Sequence, residues 1–159
     1  MKTIRDRLED HPFFSDYPKD YLETISGCGR NAAYKAGESI AKEGDPADYF
    51  FLITRGRVRI EMQQPAGKAI SIQTLSDGEI IGWSWIFPPY KWSFHVHAIT
   101  DVGVIAMDGA CLRQKCETDH TLGYTLMKSF ASILSERLKH SRYQCMDVYG
   151  VSDDASTSK

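Results

Sequence analysis

The spacing of apolar residues changes along the chain, and the changes predict its elements. Residues 1–10 are charged and predict an exposed helical lead-in. From His11-Pro12-Phe13-Phe14-Ser15 through Pro18, Tyr21, Leu22 and Ile25 the pattern predicts a short amphipathic helix, stopped by Gly27 and Gly29, whose aromatics serve packing. From Tyr34 the character is β. Turn clusters stand at Lys35-Ala36-Gly37-Glu38 and Gly44-Asp45-Pro46-Ala47-Asp48. Tyr49-Phe50-Phe51-Leu52-Ile53-Thr54 is apolar nearly throughout, as a strand covered on both faces must be. After Arg55-Gly56, residues Arg57 to Met62 alternate charged and apolar, so one face is buried and the other wet. Gln63 to Lys68 is a loop, Ile70 and Ile72 continue an inward face, and Val102 to Met107 is a further strand. Short strands with close-set glycine turns define an α+β, mainly β fold: a closed or double-sheet, jelly-roll-like β roll over about residues 34–107.

The helical period returns after the roll, over about 109–148. Asp108 is placed to cap a short helix through Glu117, and Thr118 or Asp119 to cap a long one from about 120 to about 148. Its apolar positions are Met127, Phe130, Leu134, Leu138, Cys145 and Val148, with Ser141 in the same row, in steps of three and four. Such a narrow seam predicts a parallel homodimer. The competing reading is a helix lying on its own sheet, to which Leu126 and Ile133 would contribute. Gly150 to Lys159 is polar and expected to be disordered. The expected division is thus 1–10, 11–149 and 150–159.

Composition narrows the function. A 159-residue chain of net charge −2 offers no bulk electrostatic attraction for nucleic acid or acidic membranes. The N-terminus has no apolar signal core and no apolar run is long enough to span a bilayer. Cys28, Cys111, Cys116 and Cys145 include no C-x-x-C pair and fit no zinc spacing. They predict reduced thiols in a cytoplasmic protein, with Cys111 and Cys116 as packing residues. His95-x-His97 invites a metal reading, but strand parity turns both histidines outward when Val96 faces inward, and Asp101 is the nearest carboxylate. His120 and His140 fall on the long helix, solvated or at the dimer seam. Spacing supports no Ser-His-Asp or Cys-His set, so no catalytic residue, metal ligand or enzymatic activity is expected.

The candidate site is the segment from Gly78 to Ala98, which holds all three tryptophans within ten residues. Glycines framing a turn let backbone N–H groups converge on an anion. Aromatics this dense either plug a core or wall a pocket.

The order of these parts resembles the cyclic-nucleotide-binding domain of the catabolite activator and protein-kinase regulatory subunits. The likeness is carried by His11-Pro12-Phe13-Phe14, Ala36-Gly37-Glu38-Ser39-Ile40, Glu43 to Asp48, Phe51 to Val58 and Gly78-Glu79-Ile80-Ile81-Gly82, and it covers about residues 11 to 148. It implies a β roll with flanking helices and a long dimerising helix. It also implies that the segment after Gly82 is a phosphate-binding cassette. There the family usually places glutamate right after the second glycine, for the ribose hydroxyl, and later an arginine for the cyclic phosphate. Here Trp83 takes the first position. Alignment on Val96 and Ala98 puts Trp92, Ser93 and Phe94 where the family has Arg-Ser/Thr-Ala.

Losing both charged anchors is expected to weaken cyclic nucleotide binding by roughly three to four orders of magnitude. Lys91 is one step off, toward the opposite face, and lacks the arginine fork. Trp92 and Phe94 are expected to face inward, with Trp83 and Trp85 entering the same space from the loop. Two outcomes remain open. In the first, Gly78, Glu79, Gly82, Trp83, Ser84, Trp85, Lys91, Trp92, Ser93 and Phe94 bind a cyclic nucleotide or another small apolar or aromatic ligand. Alternatively the rings fill the old site, leaving a ligand-free dimeric adaptor. About ten residues follow the long helix, too few for a helix-turn-helix, so direct DNA binding is not expected and output would pass through the homodimer or an unknown protein partner.

Overall fold

A computed structural model describes the backbone of residues 1–156 and the side chains of residues 1–147. The chain divides into two compact units, Met1–Gly123 and Tyr124–Lys159. In the first, α1 (Ile4–Asp10) and α2 (Lys19–Ser26) precede eight strands: β1 (Gly29–Tyr34), β2 (Ser39–Ala41), β3 (Tyr49–Arg55), β4 (Val58–Gln63), β5 (Ala69–Leu75), β6 (Ile80–Ile81), β7 (His95–Ala98) and β8 (Val102–Asp108). Then come α3 (Gly109–Thr118) and α4 (His120–Ser156), most of which forms the second unit. The strands pair antiparallel in two sheets, ordered β1-β8-β3-β6 and β2-β7-β4-β5. This is the expected β roll.

The long apolar runs are explained by two buried layers. From β3, Phe51 and Ile53 enter the cluster inside the roll, as do Val102, Val104 and Ala106 from β8. Their neighbours Phe50, Leu52, Ile105 and Met107 are fully buried outside that cluster. Leu8, Phe14, Leu22, Ile25 and Leu112, from the helices and the turn joining the first two, are fully buried or nearly so as well. A strand between two covered faces has no wet side, so its sequence shows no alternation.

Several boundaries differ from expectation. The lead-in is a capped helix with a fully buried leucine: Thr3 and Asp6 form a capping box, and Leu8 is inaccessible. The stretch from His11 is a run of turns, and helix begins only after Pro18, because residues ahead of proline disfavour the α conformation. Gly29 opens β1 rather than ending a helix. Met62 and Ile70 pair across β4 and β5 yet are 46 % and 45 % exposed, outside the core. The register shift between Ile60 and Glu61 sets Gln73, not Ile72, opposite Ile60.

The expected thiols are also corrected: Cys28 and Cys111 are joined in a disulfide, tying the entry of β1 to the first turn of α3. A separation of 83 residues gave no spacing signal. Cys116 and Cys145 are free.

Both predicted caps form. Asp108 accepts from the Cys111 N–H, and Asp119 accepts from the N–H groups of Thr121 and Leu122 at 3.1 Å each. Helix α4 runs to Ser156, past the expected end near 148. Side chains from Val148 onward, and the tail expected at 150–159 with them, lie outside the described residues. On α4, Phe130 is 1 % exposed within the single chain, in a buried row with Leu122 and Leu126. Of the expected seam, Met127 and Leu134 are half-buried, while Leu138 and Cys145 are exposed.

Candidate functional site

The cradle begins at a tight joint against β3. Gly78 donates its N–H to Ile53 O, and Ile53 returns its own to Glu79 O, both at 2.9 Å. The Glu79 carboxylate accepts from the Ser76 N–H at 2.7 Å, so this acid is engaged in its own turn. Gly78 (φ 84°) and Gly82 (φ 94°) hold left-handed conformations that favour glycine. Between them Ile80 and Ile81 are buried against Leu52 and Phe51. Beyond Gly82 the chain leaves the sheet in a loop through Tyr90. That loop is closed by Ile86 N–H to Trp83 O and Tyr90 N–H to Phe87 O, and contains the cis peptide Pro88–Pro89.

The return limb alternates as predicted. Trp92, Phe94, Val96 and Ala98 are buried inside the roll, while Lys91 and Ser93 are exposed. Backbone bonds fix the register: Trp92 donates to Asp45 O at 2.9 Å, and Gly44 donates to Trp92 O at 2.8 Å. His95 and His97 are half-buried on the opposite face. His97 Nε2 lies 3.4 Å from Glu61 and His95 Nε2 3.8 Å from Glu43. Among the described residues no group of three or more His, Cys, Asp or Glu is placed to hold a metal ion.

Inside, the rings pack on one another. Trp92 stacks on Phe51 with centroids 6.1 Å apart, and Phe94 meets Trp92 at 5.9 Å and Trp83 at 5.7 Å, both at steep angles. The Trp92 indole lies directly over the second cradle glycine. A Cβ at position 82 would stand 2.5 Å from its Cη2 and 2.7 Å from its Cζ3. The space above Gly82 is therefore occupied by the chain itself. Beside this stack a cavity of about 210 Å³ is bounded by Trp92, Phe51 and Tyr34, with Arg30, Lys42 and Asp45 at its polar side. Burial pushes the Tyr34 phenol up, and the nearby Arg30 opposes that shift.

Trp85 departs from expectation. It stacks on Phe50, centroids 5.0 Å apart, on the outer side of β3 and away from Trp83. Ser84 between them is half-buried. Sequence reasoning also missed Arg113. From α3 its Nη1 donates to Trp85 O at 2.5 Å, and its guanidinium sits 4.0 Å over the Tyr90 ring. One cation on a short helix, far along the chain, carries no signal for this clamp. His11 was missed too. Its buried ring accepts from the Phe13 N–H at Nδ1 and donates from Nε2 to Ile53 O at 3.2 Å, beside the same joint. Burial pushes its pKa below the usual histidine value, and the bond to Ile53 partly offsets this.

Two antiparallel sheets rolled together, joined between β6 and β7 by a glycine-framed loop, define a β-roll module built around a cradle. Residues 32–119, over half of the chain, match the Cyclic nucleotide-binding domain, and the chain belongs to that family. It is 33 % identical over 78 residues to a cGMP-dependent protein kinase of Drosophila melanogaster, covering 48 % of this chain and 8 % of the kinase. It is 24 % identical over 115 residues to the CRP-like cAMP-activated global transcriptional regulator of Mycobacterium tuberculosis, covering 72 % of this chain and 50 % of the regulator. The chain thus spans half or less of these curated relatives. A protein of Geobacter metallireducens GS-15, assigned provisionally as a cyclic nucleotide-binding protein, superposes with a TM-score of 0.75 at 27 % identity, over 84 % of this chain and 97 % of its own. No helix among the described residues is long and apolar enough to cross a membrane.

Proposed function

We propose that the chain is a homodimeric regulatory module of the cyclic-nucleotide-binding type, not an enzyme, whose nucleotide cradle is filled by its own side chains. One observation carries this reading: the Trp92 indole rests on Gly82, with Phe94 and Trp83 packed against it. A sugar phosphate placed there would have to displace an aromatic stack that is more than nine-tenths buried at Trp92 and Phe94. It would regain no glutamate or arginine contact. Binding of cyclic AMP is therefore weak or absent. Output passes through the dimer of α4 or an unidentified protein partner, in the cytoplasm.

Isothermal titration with cyclic AMP and cyclic GMP tests the filled cradle. No saturation at micromolar ligand is expected, and sub-micromolar affinity for either would overturn it. Light scattering tests the dimer. Leu134→Glu with Leu138→Glu should halve the mass, and an unchanged mass removes α4 from the interface.

A second reading rests on the cavity of about 210 Å³ beside Trp92. There a small ligand would lie against Trp92, Phe51 and Tyr34 instead of over Gly82. Native mass spectrometry of freshly purified protein separates the two readings, because a co-purifying small molecule favours the sensor.

A further inference from the structure

The outer face of sheet β1-β8-β3-β6 carries a hollow of about 230 Å³ beside α1, away from the cradle. Its polar side chains are Arg7 of α1, Asn31 of β1, and Thr54 and Arg55 of β3, and no Asp or Glu lines it. The Arg7 Nε is buried without a hydrogen-bond partner. Neither Arg7 nor Arg55 takes part in an ion pair among the described residues. Other cations of the same unit do: Lys2 pairs with Asp10 at 2.6 Å, Arg5 with Glu23 at 3.5 Å, and Arg59 with Glu61.

Gly103 in the floor fits the same picture. Its backbone has no left-handed φ, so conformation does not call for glycine. Space does: a Cβ there would lie 3.0 Å from Arg55 Cγ and 2.9 Å from its Nε. The missing side chain lets Arg55 lie across β8. An adjoining hollow of about 360 Å³ shares Arg7 and Thr54. Its two acids are engaged, Asp10 with Lys2 and Asp77 with the Gly56 N–H at 2.7 Å.

Two guanidinium groups lining one concavity repel each other, and an anion between them turns that repulsion into two charge-assisted contacts. We propose that this hollow is an anion site, distinct from the nucleotide cradle, that takes a phosphate group. Arg7 and Arg55 supply charged donors, and the Asn31 amide and Thr54 hydroxyl supply neutral ones. Donors from an α-helix and two strands suit a tetrahedral group with several acceptor oxygens better than a planar carboxylate. At about 230 Å³ the hollow is smaller than the roughly 300–1,000 Å³ of drug-sized ligand sites. It therefore accepts the phosphate alone, or the phosphate end of a small monoester whose remainder enters the adjoining hollow.

The test titrates the full chain with inorganic phosphate and with glucose 6-phosphate at constant ionic strength, followed by calorimetry and amide chemical shifts. Saturable binding is expected, with shifts at Asn31, Thr54, Arg55 and Gly103. Arg7→Gln and Arg55→Gln should each weaken it about tenfold or more. Arg55→Lys should fall in between. Arg59→Gln, on the other sheet, should leave it unchanged. If Arg7→Gln loosens α1, Arg55→Gln decides alone, since Arg55 is exposed and its loss leaves the core intact. Equal affinity for both probes means the free ion is the occupant, and tighter binding of the ester means the neighbouring hollow is used. No saturation at tens of millimolar, shifts confined elsewhere, or wild-type affinity in Arg55→Gln would overturn the site.

Discussion

The two faces of β3 use the same residue types for different ends. Inward, Phe51 and Ile53 meet Trp92 and Phe94 in a layer of rings and aliphatics. Outward, Phe50 meets Trp85, and Arg113 fastens the Trp85 carbonyl and the Tyr90 ring. One loop thus supplies Trp83 to the inner layer and Trp85 to the outer. Whether a tryptophan belongs to the cradle depends on the side of the sheet it reaches, not on its distance along the chain. Only the inner layer covers Gly82; the outer one holds the loop through the Trp85 carbonyl and the Tyr90 ring.

The largest effects should come from deleting one indole from each layer. Trp92→Ala and Trp85→Ala should each cost about 3–5 kcal/mol in urea unfolding. Only Trp92→Ala should also acquire affinity for free indole, because only that change uncovers Gly82. Equal gain in Trp85→Ala would mean the two layers are not separate. Next, Arg113→Ala should cost about 1.5–3 kcal/mol, the worth of a charged hydrogen bond, and should speed amide exchange at Tyr90 but not at Phe94. Faster exchange at both would erase the distinction.

The smallest effect concerns His11, at the joint between the turn after α1 and β3. Its folded pKa lies below the unfolded value of 6.5 because burial disfavours the imidazolium. Its contribution is therefore complete above about pH 6.5 and falls away as pH drops through that value toward the lower folded pKa. Between about pH 7.5 and about pH 5, His11→Gln should show a shallower decline in stability than the parent chain. Identical slopes would mean the imidazole does not govern it.

Sequence showed the return limb well, because Trp92, Phe94, Val96 and Ala98 alternate strictly with the polar Lys91, Ser93, His95 and His97. The caps at Asp108 and Asp119 were legible for a similar reason: one short polar side chain stands just ahead of each helix. Trp85 was not, because it sits in a loop, where parity does not apply. β1 was missed because Gly29, Ala32 and Ala33 are small and its face toward the roll is only partly covered. The Met62–Ile70 pair shows the converse error. Alternation identifies a face, but not how far along it the cover extends.

The Cys28–Cys111 bond, finally, closes the chain from residue 28 to residue 111, all eight strands included, into a covalent ring. A protease that nicks the exposed Gln63–Lys68 hairpin tip would therefore release no fragment until a reductant is added. Denaturant could unpack every strand and still leave the two pieces travelling together.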